Sequence, residues 1–347
     1  MALCSFASAS VPTATMNRLK SLYPLQSENF INLRLTNAKS PLEKWTAFPP
    51  YYYQLLDRLQ LELGVFFKDR QGLCAGDAHW ENFGYLYMGQ SHFGLNDLDD
   101  TAVCSLNADA MRLYLGHRLI TKNYSTQDWL ESYASGVRGE KTSLPRILQE
   151  LKNKSEELKN NLPNKMKRIL DSKNCDGEYG VLNSQEIQVL KAYKNSFVFG
   201  CTRIKTDGGS AGNKRYLVFY ENGSEVAVEE LKPLLNPAPN YQRSITQTER
   251  ENLYRNSVEV FLGKGFSSEY FPVRFGNVSF QRRPLWAGNQ AIKLDEISPS
   301  EYREVILYEA WRLGVYHNHS RTRVMSIDAQ AWDKYAEMIL SKWFSEF

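Results

Sequence analysis

The sequence predicts an α+β protein of two lobes, a small antiparallel β lobe and a larger helical lobe. The chain has 347 residues, which is enough for two lobes with buried cores. Residues 195–231 have the pattern of three strands separated by two turns, which is typical of a small antiparallel sheet. Most of the remaining chain has apolar residues at helical spacing.

The first part of the chain is expected to carry a loose arm and then a mixed segment. Residues 1–46 are small, polar and mixed, which predicts an arm that packs against the rest. Apolar spacing and turn residues then predict, in order, a helix over 55–66, a short buried strand over 72–75, strands over 83–88 and 92–95, and a helix over 106–121.

The second part is predicted to be helical, then β, then helical again. Residues 125–190 are charged, rich in lysine and helical, with Pro163 between two helices. The β lobe is expected to consist of strands over 197–204, 216–220 and 226–228, a helix around 246–262, and strands near 270–275 and 278–283. Ser298–Glu301 is a capping box with proline at the first helical position, which predicts a helix to about Tyr316. A final helix carries an apolar stripe over 332–344.

Composition limits the function classes. The formal net charge is +3, a weak bias that does not support nucleic-acid binding. The five cysteines are scattered without C-x-x-C spacing, which argues against a zinc site or a disulfide framework and predicts reduced thiols. The N-terminus is a poor Sec signal, and no apolar run reaches the roughly 20 residues of a transmembrane segment. We expect a cytoplasmic protein, or one exported by a specialised system.

The most informative motif is Gly76–Asn82 with the acidic run that follows the next two strands. Asn82 lies five residues after Asp77, and Asp97 lies fifteen residues after Asn82, which is the spacing of a phosphoryl-transfer site. Asp77 is predicted to accept the proton of a substrate hydroxyl, and Asn82 and Asp97 to hold Mg²⁺ or Mn²⁺. An aspartate in a turn is the structural alternative.

Two further side chains of this segment are candidates. Asp99 is predicted as a second metal ligand, whereas Asp100 is expected to be structural; the alternative for the whole triplet is a solvated acidic loop. His79 stands two residues after Asp77 and is predicted to donate a hydrogen bond to the transferred phosphate. The alternative for His79 is a side chain that only packs the loop.

The predicted β lobe carries candidates for nucleotide binding. The turn that contains Gly208, Gly209, Ser210 and Gly212 allows backbone N–H groups to approach phosphates, although hairpins also use glycine for positive φ. The strand Val226-Ala227-Val228-Glu229 is similar to the kinase strand Val-Ala-Ile-Lys, but Glu229 stands at the lysine position. Lys232 or Arg282 is therefore predicted to contact the phosphates, with Lys205 and Lys214 as further alternatives.

The lysine-rich helices have two interpretations. A solvated charged face is the simpler one. The sharper hypothesis is a polyanion site for an inositol phosphate, an anionic lipid or an acidic partner, formed by Lys152, Lys154, Lys159, Lys165, Lys167 and Arg168.

These motifs resemble the kinase-like superfamily, and aminoglycoside phosphotransferases in particular. They are more similar to the bacterial domain-of-unknown-function family 2252, which pairs a GDxHxxNFG loop with an F-D-L-N-D-F-D-E strand. The corresponding segments here are GDAHWENFG and Phe93–Asp100, and the likeness extends to Asp109 and Arg112, Gly209–Gly212, Phe280–Arg282 and Leu313–Ser320. It covers about residues 48–320. The family's Lys-Glu pair reads Glu229-Glu230 here, and the arginine of an early family segment is missing after Pro49–Gln54.

The resemblance implies a protein-kinase-like fold in permuted order, with the catalytic loop before the glycine-rich sheet and ATP and a metal ion between the lobes. We divide the chain accordingly into an N-terminal arm (1–46), the catalytic-loop and metal-binding part of the large lobe (47–125), a charged helical segment (126–194), a β-rich nucleotide lobe (195–290) and the C-terminal helices of the large lobe (291–347).

The expected function is that of an atypical ATP-dependent kinase that phosphorylates a hydroxyl, on a protein serine or threonine. Nucleotidyl transfer (AMPylation) and a pseudokinase that binds anionic ligands are the alternatives. The composition also resembles effectors secreted by intracellular bacteria such as Legionella. That likeness implies export into a host cell without a Sec signal. A combined hypothesis is a kinase that is activated by a polyanion such as an inositol polyphosphate.

Overall fold

The computed structural model describes residues 12–23, 26–59, 71–175, 177–204, 212–319 and 328–347. The described chain is a mixed α+β protein with antiparallel sheets, as the sequence predicts at that level. Its helices are α1 (Thr13–Leu22), α2 (Glu28–Asn37), α3 (Pro41–Ala47), α4 (Pro49–Arg58), α5 (Leu106–Ile120), α6 (Thr126–Val137), α7 (Arg146–Leu158), α8 (Asn164–Ser172), α9 (Ser184–Tyr193), α10 (Gln247–Ser257), α11 (Tyr302–Asn318) and α12 (Ala329–Glu346).

The strands form three antiparallel sheets. Strands β1 (Gln71–Cys74) and β4 (Ala102–Ser105) pair with each other, and a three-stranded sheet has the order β11 (Gln290–Ala291), β2 (Phe83–Tyr87), β3 (Ser91–Leu95). The third sheet has six strands in the order β5 (Tyr179–Val181), β6 (Phe197–Ile204), β7 (Lys214–Asn222), β8 (Glu225–Pro233), β10 (Val278–Pro284), β9 (Pro272–Phe275).

The N-terminal segment differs from the predicted loose arm. Its described part folds into α1, α2 and α3, and Leu19, Ile31 and Trp45 are fully buried. Ser27 and Ser40 cap α2 and α3, and Ser40 forms a capping box with Glu43. The helices were missed because short helices with few apolar residues have nearly the same average composition as a loop, whereas the expected packing against the rest of the chain is present.

Smaller differences concern the bounds of elements. Strand β4 was not predicted, and α4 begins at Pro49 and not at residue 55; Leu63 and Phe66 of the predicted helix lie outside the described residues. Helix α11 begins at Tyr302, because Ser298 and Glu301 bond to each other in the turn that precedes it.

The six-stranded sheet is covered on both faces. Met166 and Ile169 of α8 pack against Leu217, Phe219 and other side chains of one face. Leu190 of α9 packs in a cluster on the opposite face. A larger core joins the N-terminal helices to the helices that follow β4 and to the C-terminal helices. The face that carries α8 is the one that also lines the candidate site described below.

The cysteines correct a prediction. Cys74 is bonded to Cys104, which links β1 to β4, and Cys175 is bonded to Cys201 of β6. The expected reduced thiols were therefore wrong for these four residues, while Cys4 lies outside the described residues. Sequence spacing gave no sign of the first pair, because the antiparallel pairing of β1 with β4 brings Cys74 and Cys104 together. Within the described ranges, no helix has both the length and the apolar character that a bilayer crossing requires.

Candidate active site

Two loops meet at the ends of β1 and β3, and a glycine allows their contact. Gly76 has φ +77°, and a Cβ on it would lie 1.8 Å from the backbone oxygen of Asp100. The N–H groups of Ala75 and Gly76 donate to the carboxylate of Asp109, at 2.8 and 2.9 Å. Asp109 belongs to α5, so this helix fixes the loop that carries Asp77.

Asp109 is itself held by a buried chain of side chains. His317 of α11 lies 3.1 Å from Asp109 through Nε2, and its Nδ1 lies 2.8 Å from the hydroxyl of Tyr133 on α6. The three side chains are buried. The loop is thus positioned by three helices, and His317 links two of them to Asp109.

Asp77 accepts hydrogen bonds from a buried arginine. Arg112 donates to Asp77 Oδ1 through Nε at 2.9 Å and through a second guanidinium nitrogen. Its guanidinium lies 5.2 and 5.3 Å from the ring centres of Trp45 and Tyr52. Burial raises the pKa of Asp77, but the charges of Arg112 and His79 outweigh burial and bring that pKa to about 2. Asp77 is therefore a fixed anion at neutral pH.

His79 and Asn82 stand beside Asp77. His79 Nε2 lies 3.6 Å from Asp77 Oδ2, and its Nδ1 is buried with no hydrogen-bond partner among the described residues. Asn82 donates from Nδ2 to the backbone oxygen of Asp77 at 2.9 Å, so its amide oxygen is the atom able to bind a cation. The N–H of Asn96 donates to the backbone oxygen of Asn82 at 2.8 Å and joins the two loops.

The acidic loop is paired with a lysine from the six-stranded sheet. Lys232 Nζ donates to Asp97 Oδ2 at 2.6 Å and to Asp99 Oδ1 at 2.8 Å. Burial raises the pKa of Asp97, but the Lys232 charge holds it well below its usual range. Burial and the Asp97 charge raise the pKa of Asp99 well above its usual range. The pKa values of the two neighbouring carboxylates are thus shifted in opposite directions.

Asp100 points to a different partner. Its carboxylate accepts a hydrogen bond from the N–H of Ala238 at 2.8 Å. Burial and the charge of Asp77 raise the pKa of Asp100 to about 7. Asp100 thus anchors the segment that follows β8.

Two arginines that sequence reasoning missed flank the lysine. Arg215 of β7 lies 3.1 Å from buried Glu230, and Arg283 of β10 donates to Glu230 through Nε at 2.7 Å. Burial opposes ionisation, yet the charges of Arg283 and Arg215 lower the pKa of Glu230 to about 2. Glu230 and Lys232 lie two residues apart on β8, so they share a face of the sheet. The alternation of side chains between the two faces of a strand was the sequence signal that could have placed Glu230 beside Lys232.

Arg282 does not reach this site, which contradicts its prediction as a nucleotide ligand. It pairs with buried Glu229 at 2.6 Å and with Glu269 at 3.0 Å. Arg282 directly precedes Arg283 on β10, and Glu229 directly precedes Glu230 on β8. Because successive side chains of a strand point to opposite faces, Arg282 and Glu229 lie on the face of the sheet away from the cleft. Glu229, which Lys194 also contacts at 3.2 Å, therefore adds no negative charge to the cleft face of the sheet.

The glycine-rich turn is described only in part. Gly208, Gly209 and Ser210 lie outside the described residues. Gly212 has φ +86° and adjoins Phe30 and Gln26 of the N-terminal segment. It is not among the residues that line the cleft, so its predicted contact with a nucleotide has no support in the described geometry.

The six basic residues predicted as a polyanion site are spread over α7 and α8. Lys152 pairs with Glu156 at 3.7 Å, and Lys165 pairs with Glu178 and lies 4.8 Å from the ring centre of Tyr179. Lys154 and Lys152 are two residues apart on one helix, as are Lys165 and Lys167, so each pair points to different sides. Lys159 follows the end of α7, and Arg168 is exposed on α8.

The side chains around Lys232 line one cleft of about 440 Å³, within the range of small-molecule sites. The titratable and amide side chains that the argument uses are Asp77, His79, Asn82, Asp97, Asp99 and Lys232. In the part of the chain that the structure describes, no group of three or more His, Cys, Asp or Glu side chains forms a ready-made metal cage. Mg²⁺ at phosphate sites commonly uses one or two carboxylates and takes its remaining ligands from phosphate and water. The oxygen donors of Asn82, Asp97 and Asp99 fit that donor set.

Comparisons with known proteins agree with part of the sequence-based resemblance. A family model described as "uncharacterized protein conserved in bacteria (DUF2252)" matches the region of the two loops. The match covers residues 68–133. It includes Asp77, Asn82, Asp97 and Arg112 but not the strand that carries Lys232. No curated protein and no solved structure matches the chain.

Proposed function

We propose that this protein is an atypical ATP-dependent kinase, which transfers the γ-phosphate to a hydroxyl in the cleft around Asp77 and Lys232. One observation carries the proposal. Lys232, from a strand of the antiparallel sheet, lies 2.6 Å from Asp97, in the cleft that Asp77 and Asn82 also line. A proton acceptor, an amide oxygen, a carboxylate and a lysine are the set that phosphoryl transfer requires.

Each side chain has a separate task in this proposal. Asp77 stays ionised and is held by Arg112, so it orients the acceptor hydroxyl and receives its hydrogen bond. His79 lines the cleft beside Asp77, and its ring would donate to an oxygen of the transferred phosphoryl group. Lys232 would move from the carboxylates toward the phosphates as they enter.

Asn82 and Asp97, with Asp99 beside them, would hold Mg²⁺. Such an ion would neutralise phosphate charge and allow the triphosphate to approach the carboxylates. Arg215 and Arg283 add fixed positive charge on the sheet side of the cleft. The kinase-like arrangement of two lobes belongs to this proposal and rests on the same cleft between the six-stranded sheet and the loops.

The alternatives have less support. Nucleotidyl transfer and a pseudokinase were considered because Glu229 stands at the expected lysine position. The contacts of Glu229 with Arg282 and of Lys232 with Asp97 remove that reason. The dispersed lysines of α7 and α8 likewise offer no argument for an inositol polyphosphate activator.

The test compares the products formed from ATP and Mg²⁺. Wild type should release ADP and incorporate label from the γ-phosphate, and Asp97→Asn and Asp77→Asn should each lose at least about 100-fold in rate. Asp171→Asn, an exposed substitution on α8, is the matched control and should keep the wild-type rate. Circular dichroism verifies that each variant is folded. Equal rates for wild type and Asp97→Asn would reject the proposal. Incorporation of α-phosphate label with release of pyrophosphate would indicate nucleotidyl transfer.

A further inference from the structure

Lys232 lies between the two carboxylates that the proposed function assigns to the metal ion. Its ammonium group donates to Asp97 Oδ2 at 2.6 Å and to Asp99 Oδ1 at 2.8 Å. The side chain of Lys232 is only 3% exposed, whereas those of Asp97 and Asp99 are 22% and 13% exposed. The cleft therefore reaches the carboxylates, while the ammonium group is almost enclosed by protein.

This enclosure makes the two contacts hard for the lysine to give up. A lysine is a cation at neutral pH. A cation held away from water needs a negative partner, because an uncompensated buried charge is strongly unfavourable. Lys232 leaves Asp97 and Asp99 readily only when another anion replaces them. Any second cation has to compete with it for the same carboxylates.

A divalent ion would need the oxygens that Lys232 contacts. Mg²⁺ binds carboxylate oxygens at about 2.0–2.1 Å, which is shorter than the ammonium contacts. An ion bound to both carboxylates and an ammonium group bound to both therefore exclude each other. Of the other carboxylate oxygens, Asp97 Oδ1 lies 3.4 Å from Gln281 Nε2. An ion that used such an oxygen while the lysine stayed would meet a positive charge that little water screens.

The other carboxylates of the cleft are not held by this lysine. Asp77 accepts from Arg112, and Asp100 accepts from the N–H of Ala238. Glu81 also lines the cleft, and it is exposed. A metal ion that bound at one of these three would not be affected by Lys232. The competition is therefore specific to Asp97 and Asp99, which allows it to be tested by substitution.

A triphosphate offers Lys232 a new partner. Arg215 and Arg283 stand on the strands that flank β8 and line the same cleft, so their positive charge draws phosphate toward Lys232. The flexible four-carbon stem of a lysine allows its ammonium group to turn to a phosphate oxygen. The carboxylates that it leaves then face the phosphates and need a cation between them. Binding of phosphate and of metal is thus coupled, and each favours the other.

We propose that Lys232 and the divalent ion compete for Asp97 and Asp99, and that a triphosphate decides this competition by taking the lysine. The inference rests on the proposed phosphotransferase function and adds a rule for the order of binding. The metal ion enters with the triphosphate and not before it. Lys232 thereby keeps the cleft from holding a metal ion that has no phosphate to neutralise.

The size of the effect follows from how often the lysine leaves the carboxylates by itself. Minor states of proteins commonly make up about 0.1–10% of the molecules. When only a minor state can bind, the apparent dissociation constant is the intrinsic constant divided by the fraction of that state. Removal of Lys232 should therefore raise the affinity for a metal ion alone by at least about tenfold.

Titration with Mn²⁺ alone tests the competition without a measurement of activity. The electron paramagnetic resonance signal of the free ion gives the bound fraction. Lys232→Met should bind Mn²⁺ at least about tenfold more tightly than wild type, and Lys232→Met/Asp97→Asn should lose this gain. Equal affinities of wild type and Lys232→Met, or a gain that persists without the Asp97 carboxylate, would overturn the inference.

Arg283→Met is the matched control. It also removes one positive charge from the cleft, but Lys232 stays on the carboxylates and Glu230 keeps Arg215 as a partner. Its affinity for Mn²⁺ should stay within about threefold of wild type, because a change of charge alone does not free the two oxygens. A gain as large as that of Lys232→Met would show a general charge effect and reject the competition. Lys232→Gln replaces Lys232→Met if circular dichroism shows that the latter is unfolded.

Wild type provides a measurement that needs no variant. Mn²⁺ alone should leave its melting temperature unchanged, whereas Mn²⁺ together with ATP should raise it. Equal stabilisation by Mn²⁺ alone and by Mn²⁺ with ATP would overturn the inference and leave the proposed function intact. No binding of ATP in the presence of Mn²⁺ or Mg²⁺ would reject the proposed function and the role of the triphosphate with it.

Discussion

The close approach of the two loops at Gly76 can be measured by substitution. Gly76→Ala introduces two costs. The left-handed φ of +77° costs an alanine about 1–2 kcal/mol. The new Cβ would lie 1.8 Å from the Asp100 oxygen, so one loop must retreat by about 1.5 Å to reach ordinary contact. Such overpacking costs about 1–3 kcal/mol, and it also strains the two hydrogen bonds to Asp109.

Gly89 provides the matched control. It has φ +75° in the turn between β2 and β3, and a Cβ there meets nothing within 4 Å. Gly89→Ala should therefore lower the free energy of unfolding only by the cost of the left-handed backbone conformation, about 1–2 kcal/mol. We expect Gly76→Ala to lose about 2–4 kcal/mol more than Gly89→Ala in urea denaturation followed by tryptophan fluorescence. It should also lose ADP formation, while Gly89→Ala keeps it. Free energies of unfolding that agree within about 0.5 kcal/mol would refute the described contact.

Three other perturbations have defined outcomes. Lys232→Met leaves two partly buried aspartates without their cationic partner and should lower the free energy of unfolding by about 3 kcal/mol; an unchanged urea midpoint would exclude the ion pairs. Replacing Cys175 and Cys201 by alanine removes a link between residues 26 positions apart and should cost about 3 kcal/mol. A reducing agent should lower the melting temperature of the variant by less than that of wild type, because only the bond between Cys74 and Cys104 remains to be reduced. Hydrogen bonds from arginine and tyrosine outweigh burial and lower the pKa of Glu346 to about 2 from its ordinary 4.5, so its stabilisation is present above pH 4.5 and is lost as the pH falls toward 2. Glu346→Gln should cost about 2 kcal/mol at pH 7 and progressively less below pH 4.5, whereas exposed Glu304→Gln should change little at either pH.

The loops of the candidate site were predictable because strand ends are visible in sequence. The apolar runs of β1 and β3 end just before Gly76 and Asp97, so their polar residues had to emerge at element ends. Turn chemistry likewise marked the hairpins of β2–β3 and β7–β8. Strand ends and turn residues are local features, so they can be recognised without knowledge of the rest of the fold.

The partners of those loops were not predictable from one sequence. Arg282 and Arg283 are neighbours of the same chemistry, and only the strand register decides which of them faces the cleft. Asp109 and Arg112 are buried polar residues of α5. In the sequence they look like ordinary surface charges of a helix, because the loop that they bind is distant along the chain. The pairing of Cys74 with Cys104 depends on the same kind of long-range register.

The separation of Lys232 from its acidic partners along the chain has a consequence for biosynthesis. The lysine follows Asp97 by 135 residues. When the acidic loop leaves the ribosome, strand β8 with Lys232 has not yet been translated. Without this lysine, packing several carboxylates close together is unfavourable. The N-terminal half is therefore expected to stay incompletely folded until the six-stranded sheet has been synthesised and packs against it. Fragments that stop before β8 should consequently be poorly folded, however complete their own helices are.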